Sequence, residues 1–485
     1  MDLLQILREG WYYALAIAGF VAAVIAAGHA VLNKRDSRSA VMWVGVIFLS
    51  PLVGPLLYLL FGINRIERKA VSLWQGHEPA VGGHDQYYAD PKEAVAPLGE
   101  AAPHLQHLIT LVNGITRRNL QSGNSVKLLA SGDEAYPEML KAIREARDTV
   151  NMVTYIFDFD AAGIGFIDAL ADAADRGVDV RVMIDDAGAR YSRRSVSAEL
   201  RRRGVRCERF LRTLDLWGMM GLNLRNHRKV LVTDARVGFT GGMNIREGCL
   251  LKSSPSSPTQ DLHFRIDGPA VAHLQEAFAD DWLFVTGENM TGAKWFPDLE
   301  KAGNVVARGI SDGPDVELRA IRWTMVGALN SAQNSVKIVT PYFLPDEILV
   351  TALNQAARRG VNVDIVLPEK GNLTIVQWAM QAGYWKVLRH GVRIWLSPEP
   401  FDHSKLLVVD GAWSLIGSSN WDPRSLRLNF EFNLECYDSE LAGQLEDLVE
   451  DKIEKASHLS LADVDGRPFV TRLRDGIARL ATPFL

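Results

Sequence analysis

The chain has 485 residues and three cysteines, and its 58 acidic and 53 basic side chains give a formal net charge of −5. That length holds more than one compact domain, and the acidic balance excludes a broad basic surface of the kind that gathers nucleic acid. Cys207, Cys249 and Cys436 are odd in number and lack zinc-ligand spacing, so they read as buried thiols of a reducing compartment rather than as a disulfide framework.

Taken in chain order, the first predicted element is an apolar run from Tyr12 to Val31 with no Asp, Glu, Lys or Arg. A second such run covers Val41 to Phe61. About 20 helical residues cross the hydrocarbon core, so residues 1–69 are expected to form a two-helix transmembrane hairpin, a multi-pass membrane anchor. Trp11, Tyr12, Tyr13, Trp43 and Tyr58 fall near the ends of the spans, where aromatic belts form. Lys34, Arg35 and Arg38 lie between the spans, against Arg8, Arg65, Arg68 and Lys69 on the other side. By that narrow margin the positive-inside rule places the large C-terminal part in the cytoplasm. Residues 70–119, broken by Pro79, Gly82, Gly83, Pro91, Pro97 and Pro103, read as a linker with short interfacial pieces around Trp74, Tyr87 and Tyr88.

Beyond the linker the chain repeats itself, over 120–305 and again over 306–485. Val150-Asn151-Met152-Val153-Thr154-Tyr155-Ile156-Phe157 matches Val336-Lys337-Ile338-Val339-Thr340-Pro341-Tyr342-Phe343 as a strand. A helical stretch follows each and ends in Arg176-Gly177-Val178 or Arg359-Gly360-Val361, with glycine at a helix C′ position and alternating valines opening the next strand. Arg203-Gly204-Val205 and His390-Gly391-Val392 repeat the pattern. Strand, helix, strand, helix, strand in each half predicts an α/β fold of two similar lobes related by a pseudo-twofold.

Each half then carries one motif. His227-Arg228-Lys229-Val230-Leu231-Val232-Thr233-Asp234 is followed by Gly241, Gly242 and Asn244. His403-Ser404-Lys405-Leu406-Leu407-Val408-Val409-Asp410 is followed at the same intervals by Gly417, Ser418 and Asn420. Histidine and lysine two apart share one face of a strand, and the apolar residues after them suit a buried strand. The two motif strands are expected to meet at the pseudo-twofold. Two imidazoles, two ammonium groups and two amides then surround one phosphodiester: one imidazole to attack, the other to move the proton, and Lys229, Lys405, Asn244 and Asn420 to hold the charge. With that fixed positive charge neither a metal nor a cofactor is required. Asp234 and Asp410 complete the catalytic motif, although at the strand ends they read as structural.

This H-x-K-x4-D pattern with its Gly-Gly/Ser-x-Asn tail resembles the phospholipase D superfamily. The N-terminal hairpin and the stretch Gly417-Ser418-Ser419-Asn420-Trp421-Asp422-Pro423-Arg424-Ser425 make the chain similar to its membrane-bound bacterial cardiolipin synthases. Methionine or leucine commonly stands at the Trp421 position. The resemblance implies two phospholipase D-like lobes forming a pseudo-dimer, with His227 as nucleophile and His403 as general acid/base. It implies an acid after each motif that orients its histidine, at Asp261 and Glu431. It also implies transfer of a phosphatidyl group between two phosphatidylglycerol molecules, giving cardiolipin and glycerol through a phosphatidyl-histidine. Phosphatidylglycerol, other anionic phospholipids and the bilayer are the expected partners, nucleic acid is not, and a homo-oligomer is allowed.

Other readings accompany this one: a phospholipase D-type hydrolase, a phosphatidylserine synthase, or a non-catalytic scaffold binding anionic lipid. His263 reads as structural, and Arg201-Arg202-Arg203 as a solvated helix face. The methionine-rich stretch Leu214–Leu224 reads as an apolar loop leading into the site, and Leu373–Trp385 as an amphipathic helix beside it. In the family the latter region commonly has Ser, Asp and paired tyrosines. Here Gly371, Asn372, Tyr384 and Trp385 leave the headgroup preference open.

Overall fold

The structure, a computed structural model, describes residues 3–34, 37–62, 88–96, 98, 102–116, 118–192, 194–211, 224–253, 255–313 and 319–482. Its contacts divide the chain into two compact units, Met1–Ser72 and Leu73–Leu485. Trp74, Tyr87 and most of the loop expected at Leu214–Leu224 lie outside the described residues.

In the first unit, helix α1 (Leu3–Asn33) contains Gly10–Asn33. That stretch is the one helix among the described residues long and apolar enough to cross a membrane. Ile17, Phe20, Ile25 and Leu32 stand exposed along it. The second predicted span does not form as one helix. Helix α2 (Ser37–Leu49) stops, and the short α3 (Val53–Leu57) follows a turn. Pro51 and Pro55 are the physical reason: proline removes an amide donor and clashes with the preceding turn. A Cβ on Gly54 would approach Ile47 Cα to 2.6 Å, so α3 doubles back onto α2. The expected two-span hairpin is thus corrected to one candidate span and a broken apolar segment, and a multi-pass arrangement is not supported.

The second unit is built on one large continuous sheet and a separate two-stranded one, the pair β8 and β14. The first half supplies β1 (Gln121–Leu129), β2 (Thr149–Thr154), β3 (Asp179–Asp185), β4 (Arg206–Phe210), β5 (Arg225–Asn226), β6 (Val230–Thr233), β7 (Val237–Gly241), β8 (Thr259–Gln260) and β9 (His263–Asp267). The second half supplies β10 (Val305–Asp312), β11 (Ser335–Val339), β12 (Asn362–Pro368), β13 (Arg393–Ser397), β14 (Phe401–Asp402), β15 (Leu406–Val409), β16 (Trp413–Gly417), β17 (Asn429–Tyr437) and β18 (Ser457–Leu459). Across the first half the order is β1-β9-β7-β6-β2-β3-β4, and across the second β10-β17-β16-β15-β11-β12-β13. The two runs correspond strand for strand, and β1 joins β10 in antiparallel pairing. The strands at the pseudo-twofold are therefore β1 and β10. The motif strands β6 and β15 each lie three places inside their own lobe, contrary to the expectation that they meet.

Helices cover both faces, as the buried parallel strands β2-β3-β4 and β11-β12-β13 require. They include α4 (Ala161–Asp175), α5 (Val271–Thr286), α6 (Glu347–Arg358), α7 (Thr374–Gln381), α8 (Ser439–Lys455) and α9 (Phe469–Leu480). Gly177 and Gly360, at φ 89° and 92°, occupy the predicted left-handed positions after α4 and α6. One apolar core runs under both lobes, joining Phe264, Phe278 and Trp282 to Val366, Leu406 and Phe430. Each lobe keeps a second core on its other face.

The segment read as linker departs most from expectation. Leu105–Ile115 is a helix whose Leu105, Leu108, Ile109 and Val112 are buried in the core of the second lobe. Its Leu111 packs where Gly327 leaves room. The buried Arg308 of β10 bonds both Glu435 and Asn113, tying this helix to the sheet. If residues 105–115 belong to the lobe, Leu108→Ala is expected to cost about 2–5 kcal/mol, read as a fall in the denaturation midpoint. Leu111→Ala, at a partly exposed position, should cost less than half as much.

Candidate active site

The motif histidines are positioned by pairing across the lobes. The short β5 runs parallel to the start of β17, with Asn226 opposite Phe430, and the His227 N–H donates to the Phe430 carbonyl at 2.9 Å. The short β14 runs parallel to β8, with Asp402 opposite Gln260, and the His403 N–H donates to the Gln260 carbonyl at 2.7 Å. His227–Lys229 and His403–Lys405 occupy the extended links into β6 and β15. The strands themselves are buried along their length.

The residue after Phe430 is Glu431, and the residue after Gln260 is Asp261. Cross-lobe pairing therefore delivers each carboxylate to the opposite histidine. His227 Nδ1 lies 3.1 Å from Glu431 Oε2, and His403 Nδ1 lies 2.7 Å from Asp261 Oδ2. Asp261 and Glu431 do contact imidazoles, but their partners are exchanged relative to the expected pairing within each motif. With Nδ1 engaged, Nε2 is the nitrogen left for a substrate. Burial, aided by the neighbouring Lys405, holds His403 down at about 4 against the pull of Asp261. Burial also lowers His227, which Glu431 only partly offsets. Glu431 is pushed up by burial, yet His227, Lys229 and the Ser418 hydroxyl outweigh that and keep its carboxyl below the usual range.

Lys229 Nζ donates to the His227 carbonyl at 2.6 Å, and Lys405 Nζ makes the same bond to the His403 carbonyl. Burial lowers these ammonium groups to about 7 and about 8. An anion placed among them would restore their charge. Asn244 Oδ1 accepts the Ile156 N–H at 3.1 Å, while Asn420 Oδ1 has no hydrogen-bond partner among the described residues. Both amides are buried beside their motifs. Asp234 and Asp410 sit at the far strand ends, with φ of 51° and 53°. Asp234 accepts the N–H groups of Arg147, Asp148 and Thr149. Asp410 accepts those of Gln333, Asn334 and Ser335, and also bonds His104. These aspartates tie turns together, and none of their hydrogen bonds goes to His227 or His403.

The two tails differ for a geometric reason. In the second lobe the Ser418 hydroxyl donates to Glu431 Oε2 at 2.5 Å. In the first, Gly242 takes the serine's place, and a Cβ there would fall 2.2 Å from Asp261 Oδ1. The tail's second residue thus fits the carboxylate of its own lobe, which in turn holds the histidine of the other.

The motif spacing missed two tyrosines. Tyr155 packs edge-on to His227 at 5.2 Å between ring centroids, and Tyr342 to His403 at 6.4 Å. Their signal was an aromatic just beyond the matched threonines Thr154 and Thr340, but the two stand one position out of register in the repeat. His263 lies buried near Asp261 with neither ring nitrogen bonded among the described residues, and burial pushes it down to about 4.

A duplicated α/β sheet with two crossed imidazole–carboxylate pairs defines a protein of the phospholipase D class. The family model described as cardiolipin synthase, PLD-like domain, matches residues 139–282 and 325–453, and one described as phospholipase D-nuclease N-terminal matches 21–62. The cardiolipin synthase A of Pseudomonas putida is 33% identical over 95% of this chain and 96% of its own. The cardiolipin synthase of Geobacillus kaustophilus is 31% identical over 96% of this chain and 92% of its own. The phosphatidylserine synthase of Haemophilus influenzae shares the fold, with a TM-score of 0.61 and 15% identity over 78% of this chain and all of that one. The chain belongs to the phospholipase D-like cardiolipin synthase family.

Gly242→Ser should push the Asp261 carboxylate away from His403. A displacement near 1 Å lowers turnover by about 100-fold, while Gly242→Ala with Asp261→Ala, which removes the clash but not the loss of the orienting group, should not recover it. Steady-state kinetics on purified variants check both. His263 supplies a pH test. Its folded value of about 4 lies below the unfolded value of about 6.5, so the unfolded state binds the proton more tightly between them. Its contribution to stability is complete above that window and is lost as pH falls through it. His263→Asn should therefore flatten the unfolding midpoint against pH between about 4 and 6.5, measured as the difference from the parent.

Proposed function

We propose that the chain is a cardiolipin synthase, moving a phosphatidyl group from one phosphatidylglycerol to the hydroxyl of another. The observation that carries this reading is the pair of buried imidazoles, each oriented through Nδ1 by a carboxylate of the other lobe, within a family of cardiolipin synthases.

His227 Nε2 attacks phosphorus, the bond to the leaving glycerol oxygen breaks, and His403 supplies that oxygen's proton. The hydroxyl of the second phosphatidylglycerol then gives its proton to His403 and attacks phosphorus, and the bond to His227 breaks. Cardiolipin and glycerol result, and both histidines return to their starting states. The substrate-free imidazoles are held neutral by burial, as a nucleophile must be. The phosphodiester's negative charge raises the neighbouring His403 so that it enters the first step protonated. Glu431 and Asp261 stabilise the imidazolium forms. Lys229, Lys405, Asn244 and Asn420 bind the nonbridging oxygens as charge builds on them. Because one phosphodiester replaces another, no nucleotide is consumed. Helix α1 tethers the enzyme in its substrate's bilayer, which raises the effective concentration of the acceptor lipid.

Purified protein in phosphatidylglycerol vesicles should release cardiolipin and free glycerol in equal amounts. His227→Ala should lower this by about 1,000-fold or more. Phosphatidic acid as the lipid product would identify a hydrolase instead, and an undiminished rate in the variant would remove His227 from the reaction.

A further inference from the structure

Helix α9 (Phe469–Leu480) is turned inside out. Its inward face carries Asp475, fully buried, and Ala478. Its outward face carries Phe469, Val470, Leu473, Ile477 and Leu480, all between 51% and 76% exposed. Those positions form one stripe of an amphipathic helix. A helix docked only on its own protein would hide that stripe and expose the carboxylate.

The orientation is locked by ionic contacts. Asp475 accepts from Arg467 at 2.7 Å and from Arg474 at 2.7 Å. Arg467 also donates to the carbonyl of Gln381 at the end of α7 (Thr374–Gln381), at 2.9 Å. The Arg474 guanidinium lies over the Trp378 ring of α7 at 4.3 Å. Asp475 fixes the two arginines within their own segment, and rolling the apolar stripe inward would break their contacts to Gln381 and Trp378 of α7.

The patch leads to the catalytic centre. Leu373 and Ile375, at the start of α7, are exposed. The neighbouring Asn372 accepts the Tyr342 hydroxyl at 2.8 Å, and Tyr342 packs against His403. Exposed apolar side chains thus stand two contacts from a catalytic imidazole. Within α9 the exposed charges have one sign: Arg472, Arg474 and Arg479 are exposed, while the helix's one carboxylate, Asp475, is buried between two arginines.

We infer that α9, with the start of α7, is an interfacial surface that seats the second lobe on an anionic bilayer. The apolar stripe enters the headgroup boundary, Arg472 and Arg479 meet lipid phosphates, and the Tyr342 side of the site faces the membrane that supplies lipid. This rests on the lipid substrate proposed above, and it is independent of which transfer or hydrolysis follows.

The test uses the full chain reconstituted in vesicles, labelled with an environment-sensitive fluorophore at Leu473→Cys or Ile477→Cys. The native thiols are buried and remain unlabelled under native conditions. An exposed Glu454→Cys variant is the reference site. With brominated acyl chains in a phosphatidylglycerol/phosphatidylcholine bilayer, labels at 473 and 477 should shift to the blue and be quenched, more strongly than in phosphatidylcholine alone. The label at 454 should do neither. No quenching at 473 and 477 overturns the inference. So does a blue shift in lipid-free detergent that grows with protein concentration, which would mean a second copy covers the stripe. The readout needs no turnover, so failure of the transfer reaction and failure of docking are separable. As a second measure, Leu473→Ser with Ile477→Ser should raise the apparent KM for vesicle phosphatidylglycerol several-fold and leave kcat on detergent-dispersed lipid unchanged. An unchanged vesicle KM counts against docking.

Discussion

Each motif imidazole is held by a carboxylate rooted in the opposite lobe, and the architecture follows from that exchange. A carboxylate that orients a histidine needs to be fixed to a fraction of an ångström, and the strand that carries the one facing His227 is β17, from the other half. The backbone bond from each histidine to the residue preceding the partner carboxylate sets the distance. Neither lobe alone can therefore assemble a competent histidine. The shared core beneath the sheet and the β1–β10 junction keep the lobes in the register that the two crossed pairs require.

The exchange also explains why the halves have been free to differ. Arg228 of the first motif is buried against Asp281 at 2.5 Å, with Asn226 bonded to the same carboxylate. At the matching place in the second motif Ser404 bonds Asp402, and Asp402 pairs with Lys452 at 2.6 Å. Burial raises Asp402, but Lys452 and the serine bonds more than compensate and hold it below its usual range. The two sets invert the sign of the supporting charge while each presents its histidine N–H to a strand of the opposite lobe. Gly242 and Ser418 show the same principle: different side chains, each matched to the length of the acid beside it.

A lipid-transferring enzyme must bury its site and still reach a bilayer. Buried lysines with lowered proton affinity and neutral imidazoles fit a site that gains its charge when an anionic headgroup arrives. The one candidate span, Gly10–Asn33, is proposed for attachment, and the inverted α9 for turning the Tyr342 side of the site toward the bilayer.

Much of this was legible in the chain itself. The doubled motif, the matching strand–helix stretches and the glycines after α4 and α6 depend on local sequence, and local rules of spacing and backbone geometry suffice to read them. The periodic apolar residues Leu105, Leu108, Ile109 and Val112 were also legible, though the surrounding prolines argued for a linker. Pro51 and Pro55 announced the break in the second apolar run, though its composition argued for a span. What the sequence could not decide was which acid serves which histidine. Asp261 follows the first motif and Glu431 the second, and both pairings have the same one-dimensional pattern. The choice belongs to β5 on β17 and β14 on β8, contacts between residues some two hundred and one hundred and forty positions apart, which form only when the two lobes share one sheet.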